Sequence, residues 1–172
     1  MKTITIAALA GLTISGITTQ SHAITITLDV SGMATWGFQG DPANDRLDVF
    51  VGSGALLTSI LWDLNITTVG ISWAEEVSIG FFGNSLTIFP GLGDAFTVTN
   101  QNYAGHMAPT NILLGADGIL DIEFFESVWD DNLDAIDAYF EEGSTITITI
   151  IPTPGPLALL GLGGLTITRR KR

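Results

Sequence analysis

In 172 residues there are eighteen acidic side chains, six basic ones and no cysteine. Lys2 and the terminal Arg169, Arg170, Lys171 and Arg172 account for five of the bases, so Arg46 alone faces all eighteen acids between Ile24 and Ile151, a net −17. That charge repels nucleic acid and anionic lipid and invites divalent cations. The lack of thiols rules out a disulfide framework, and His106, the one histidine of that stretch, leaves zinc without a ligand set.

Met1-Lys2 forms a short positive region, Ile4 to Ile17 is apolar, and Ser21-His22-Ala23 places small residues at both key positions before a cleavage point. This pattern predicts a secretory signal peptide cut after Ala23. The apolar run is too short for a permanent span. Residues 24–151 are then the working part, a size that suits one domain with a sizeable core.

Ile24-Thr-Ile-Thr-Leu-Asp-Val30 alternates apolar and polar residues with period two, and Thr145 to Ile150 does the same at the far end. Both predict half-buried strands, and their matching alternation suits them to lie side by side. Between them the predicted strands are Arg46 to Gly52, Leu56 to Asn65, Thr67 to Ser72, Glu76 to Phe82, Ser85 to Phe89, Ala95 to Thr99, Asn111 to Leu114 and Ile119 to Ser127. Turn formers separate them, as in Gly40-Asp-Pro-Ala-Asn44 and Pro90-Gly-Leu-Gly-Asp94. Short strands at such spacing predict an all-β fold, an antiparallel β-sandwich of the jelly-roll kind. Asn132 to Glu142 alone has helical character, and its acidity suits a turn or loop equally.

Four groups of residues are candidates for chemistry. Asp130, Asn132, Asp134 and Glu141 occupy positions 1, 3, 5 and 12 of a calcium-loop spacing. Ala135 replaces the turn glycine and strands flank the run, so the choice is between a calcium site of another geometry and a solvated acidic loop. Asp121 and Glu123 alternate with Ile122 and Phe124 and so share the outer face of a strand; exposed acids are expected, and an i, i+2 pair does not straddle a glycosidic bond. His106 lies in Tyr103-Ala-Gly-His-Met-Ala-Pro109, read as a loop, with no Gly-x-Ser-x-Gly elbow to accompany it. Of the aromatic residues, Trp36 and Trp129, beside Gly and Asp, are expected to be exposed and to offer sugar-stacking faces, whereas Trp62 and Phe124 are expected in the core.

The last twenty-one residues stand apart. Pro152-Thr153-Pro154-Gly155-Pro156 breaks any strand or helix. Leu157 to Thr168 is uncharged and rich in Leu and Gly, too short to cross about 30 Å of hydrocarbon without thinning the bilayer or snorkelling of the terminal bases. Arg169 to Arg172 then predict a cytoplasmic end. These three parts in order resemble the PEP-CTERM sorting signal, with Thr153 where that family most often has Glu. The resemblance implies transient inner-membrane insertion, recognition by an exosortase-like processing enzyme near Pro152-Thr153-Pro154, and delivery to the surface or extracellular matrix of a Gram-negative bacterium. An ordinary anchor without processing is the plainer alternative.

Gly40-Asp-Pro42, Leu61-Trp-Asp63, Ser72-Trp73, Pro90 to Asp94 and Ala116 to Glu126 also look like an ectodomain that recurs among PEP-CTERM proteins. That likeness implies a sandwich and adds no chemistry. The expectation is an exported, non-enzymatic protein with a structural or adhesive role and no cofactor unless calcium. The alternatives are a calcium-assisted module that binds exopolysaccharide and, third, a secreted hydrolase.

Overall fold

The computed structural model describes residues 22–83, 85–110, 112–127 and 135–153. Its strands are β1 (Ile24–Asp29), β2 (Ala34–Thr35), β3 (Arg46–Phe50), β4 (Leu56–Thr68), β5 (Val77–Phe81), β6 (Leu86–Ile88), β7 (Gln101–Met107), β8 (Ile112–Leu113), β9 (Ile119–Glu126), β10 (Ala138–Phe140) and β11 (Thr145–Ile151). A 3-10 turn, Ala74–Glu76, precedes β5.

β4 is the axis of the larger, seven-stranded sheet. One of its edges carries β11 and then β10, end to end; the other carries β8 and β7. Outside β11 lies β1, antiparallel from Ile24 opposite Ile150 to Asp29 opposite Thr145, as the shared alternation predicts. Outside β10 lies β2. The second sheet runs β3-β9-β5-β6, every pair antiparallel. The described residues are therefore all-β, two antiparallel sheets packed as a β-sandwich.

The inner faces follow the period of two. Leu57, Ile60, Leu64, Ile66, Ile146, Ile148 and Ile150 from one sheet meet Val77, Ile79, Phe81, Leu120, Ile122 and Phe124 from the other, all buried. Each such side chain contributes about 1.5–3 kcal/mol by leaving water. Phe124 and Phe140 meet edge to face, centroids 5.0 Å apart, and join the sheets. Trp62 packs partly buried against this core.

Three departures from the sequence reading have local causes. β4 runs unbroken through Asn65 to Thr68, because Asn65 stays in the ladder, its backbone N–H bonding Ser144 Oγ and its amide the Glu142 carbonyl. Ala95 to Thr99 is irregular and the strand comes just after it, Gln101–Met107, so His106 sits on a strand rather than in a loop. The sheet requires Gly105 there: a Cβ would lie 2.2 Å from the Trp62 ring directly opposite. Finally, the acidic stretch from Asn132 ends in a strand, β10, over Ala138–Phe140. The apolar runs of the expected signal peptide and tail lie outside the described residues, among which no helix is long and apolar enough to cross a membrane.

Candidate functional site

The pairing of β1 with β11 brings the two ends of the domain together. Ile24 lies opposite Ile150, so the exposed cleavage position Ala23 is next to Ile151 and Pro152. Thr153 is exposed as well and donates its hydroxyl to the Ser53 carbonyl, 2.8 Å away, in the turn that leads into β4. Both predicted processing points are thus accessible at the same end of the sandwich. Pro154 and the basic residues Arg169, Arg170, Lys171 and Arg172 lie outside the described residues.

The opposite end is built from the segments after β4 and after β6. Ala74 N–H bonds the Phe96 carbonyl at 3.1 Å and Glu75 N–H bonds the Asp94 carbonyl at 3.3 Å, which holds residues 71–76 against residues 89–97. A glycine is needed at 91, where a Cβ would lie 2.4 Å from the Ala74 carbonyl oxygen. This junction leaves Ile71, Trp73, Leu92 and Phe96 exposed. Trp73 is the exposed tryptophan that sequence reasoning missed. Trp36, expected to be exposed, is half-buried instead, because its segment is pulled down by Asn44, whose Oδ1 accepts from the Trp36 and Gly37 N–H groups. Trp129 lies outside the described residues.

The acids divide into two sets. Of the calcium-loop candidates, Asp130, Asn132 and Asp134 lie outside the described residues. Glu141 is half-buried in the turn between β10 and β11, its N–H bonding the Asn65 carbonyl at 2.7 Å. With Glu142, Thr67, Thr99 and Asn100 it lines an open depression of about 490 Å³. Among the described residues no three His, Asp or Glu side chains are grouped to hold a metal ion.

The second set is buried, which the sequence did not suggest. Glu123 shares the outer face with Asp121 as expected, yet it is not exposed: Gly40 N–H, Asn44 Nδ2 and Arg46 converge on its Oε1 at 2.8, 3.1 and 3.0 Å. The lone cation of the domain thus holds residues 36–45 down on β9. Glu126 accepts the Thr35 hydroxyl between the sheets, Asp137 accepts the Ser72 hydroxyl at 3.0 Å, and Glu76 caps the 3-10 turn by accepting Trp73 N–H at 2.7 Å. Each of these carboxylates accepts at least one hydrogen bond, the arrangement in which a buried charge is tolerated. Asp121 accepts Gly83 N–H at 2.7 Å.

The outer face of the larger sheet is open. Thr25 meets Thr149 at 3.3 Å and Thr27 meets Thr147 at 3.0 Å. Beside them Leu61, Asp63, Ala104, Thr145 and Thr147 edge a shallow depression of about 350 Å³. His106 is on this face, its Nε2 3.2 Å from Ser59 Oγ, and no carboxylate among the described residues hydrogen-bonds its ring. At the sheet's edge the Tyr103 hydroxyl donates to Asp94 at 2.8 Å. Burial and the adjacent Asp94 carboxylate push the phenol up to about 12.

No protein family and no curated protein matches the chain. Among solved structures it is similar to the coat protein of tobacco streak virus, at 12% identity and a TM-score of 0.37, over 82% of this chain and 92% of that one. A similarity of that size says nothing about what this chain does.

Proposed function

We propose that this is an exported β-sandwich protein sorted through its C-terminal tail to the cell surface or extracellular matrix, where it has a structural or adhesive role without catalysis. The observation that carries this reading is the placement of Ala23 and Thr153 at the same end of the sandwich. A domain whose leader and tail leave side by side can be released or held from that end, with its opposite loops directed away. The exosortase-like enzyme implied by Pro152-Thr153-Pro154 would find Thr153 exposed. The strand orders β1-β11-β4-β7 and β3-β9-β5-β6 support the finer description of the sandwich as a jelly roll.

The test is intact mass and C-terminal sequencing of the protein from fractionated cells. A chain beginning near Ile24 and ending near Pro152, outside the inner membrane, is the expected result. A chain still ending at Arg172 in the inner membrane would make the tail a plain anchor.

A second reading, binding of exopolysaccharide, is supported by the depression beside Leu61, Asp63 and Thr147, where hydroxyls and a carboxylate adjoin small apolar surfaces. Loss of polysaccharide retention in Asp63→Ala would support it, and no retention by the native protein would end it. Calcium enters this reading through Asp130, Asn132, Asp134 and Glu141. A specific site raises Tm in calcium more than in sodium at matched ionic strength.

A further inference from the structure

We propose that β1 is a self-association edge, and that two copies of the domain join their larger sheets by antiparallel pairing of β1 with β1. Among the described residues β1 is hydrogen-bonded on one side only, to β11, so its other side presents unpaired backbone donors and acceptors. The other edges are less suited to such pairing. β3 carries Arg46 and Asp48, β6 and β8 are three and two residues long, and β7 has Gly105 near its centre. β1 is six residues of β-branched and apolar character whose single charge, Asp29, is at its last position.

The identity of the partner follows from the register. In an antiparallel sheet, residues directly opposite point to the same face, so pairing must match Thr to Thr and apolar to apolar. A two-fold axis through Ile26 does this along the strand. Ile24 then faces Leu28 of the second copy, Thr25 faces Thr27, and Ile26 faces its own counterpart, while Asp29 falls outside the apolar and threonine matches. Ile24, 47% exposed, and the half-buried Ile26 and Leu28 would be covered. On the other face the Thr25–Thr149 and Thr27–Thr147 contacts would continue into the second copy. Charge selects the same surface: β1 and β11 hold one of the eighteen acids of the chain, so two copies of a strongly acidic domain approach with least repulsion here.

The absence of native cysteine makes disulfide trapping a clean test. Residues opposite one another across such a ladder have Cα atoms about 4.5–5.5 Å apart, within disulfide reach, whereas Thr25 and its own counterpart would be roughly 8 Å apart and out of reach. Full-length Thr25→Cys and Thr27→Cys chains are purified in mild detergent and oxidised separately and as a mixture. The expected result is a disulfide-linked dimer in the mixture and little in either variant alone. A dimer from Thr27→Cys alone, or none in the mixture when both variants melt like the native chain, overturns the pairing. Independently, native protein should sediment as a dimer, and Thr27→Glu should weaken association about a hundredfold, because it sets the two new carboxylates diagonally across the ladder from one another. A native chain that remains a monomer up to about 100 μM overturns the proposal.

Discussion

The two outer faces of this sandwich have the same strand periodicity and opposite fates. On the larger sheet, outward threonines of β1 and β11 meet in pairs through their hydroxyls, and the face is open. On the smaller sheet, outward Glu123 and Phe125 are buried, and residues 36–45 are held down by three donors on one carboxylate oxygen. Period two decides which way a side chain points; what lies above it is decided by a connection distant in sequence. The open face is therefore where interaction is available, and the closed one is where stability is concentrated.

The largest expected effect is on the closed side. Glu123→Ala removes the common acceptor of Gly40, Asn44 and Arg46 and leaves the buried Asn44 amide without it. A loss of about 3 kcal/mol is expected from breaking a buried, multiply bonded charge, read as a fall in the denaturation midpoint. Arg46→Ala should cost less, because the arginine is half exposed and the other two donors remain. Equal, negligible losses in both variants would show that residues 36–45 are held by something other than this network.

Gly105→Ala tests the seam on the larger sheet. The added methyl would meet ring atoms of Trp62 at 2.2 to 2.9 Å, and that ring is fixed by the core behind it. Overpacking of this kind costs about 1–3 kcal/mol. The paired change Gly105→Ala with Trp62→Leu should recover part of the loss, since it removes the clashing ring; a double variant no better than the sum of the two would place the strain elsewhere.

These two positions show what was legible in the sequence. The alternation in Ile24 to Val30 and Thr145 to Ile150 was enough to place β1 beside β11, because β-branched residues at period two allow few other arrangements. It was also enough to give Asp121 and Glu123 a common face. It could not give the burial of Glu123, which depends on Gly40 and Asn44 some eighty positions earlier in the chain. Nor could it give β7, since Gln101 to Met107 lacks the β-branched alternation of β1 and β11, and the place for Gly105 is set by the Trp62 ring opposite. The exposed Trp73 was hidden for a similar reason: its place is set by the contact of residues 71–76 with residues 89–97.

The smallest expected effect concerns the edge where the open sheet meets residues 89–97. There the tie is one bond, from the Tyr103 hydroxyl to Asp94, in place of the three donors that close the other side. Burial first, and then the Asp94 carboxylate, raise the phenol from an ordinary 10.0 to about 12. A group whose folded value is raised stabilises the fold fully below the unfolded value, and that contribution is lost as pH rises through the folded value. Stability should therefore decline from pH 10.0 to about 12, and Tyr103→Phe should lack that part of the decline. The chain has one other tyrosine, so in Tyr139→Phe the ultraviolet absorbance titration reports Tyr103 alone. Asp94→Asn in that background should move the titration part of the way back toward 10.0, because burial persists when the charge is gone. A Tyr103 that titrates at 10.0 in the folded protein would mean that residues 89–97 stand away from β7 in solution, and that this margin of the sheet is as open as its face.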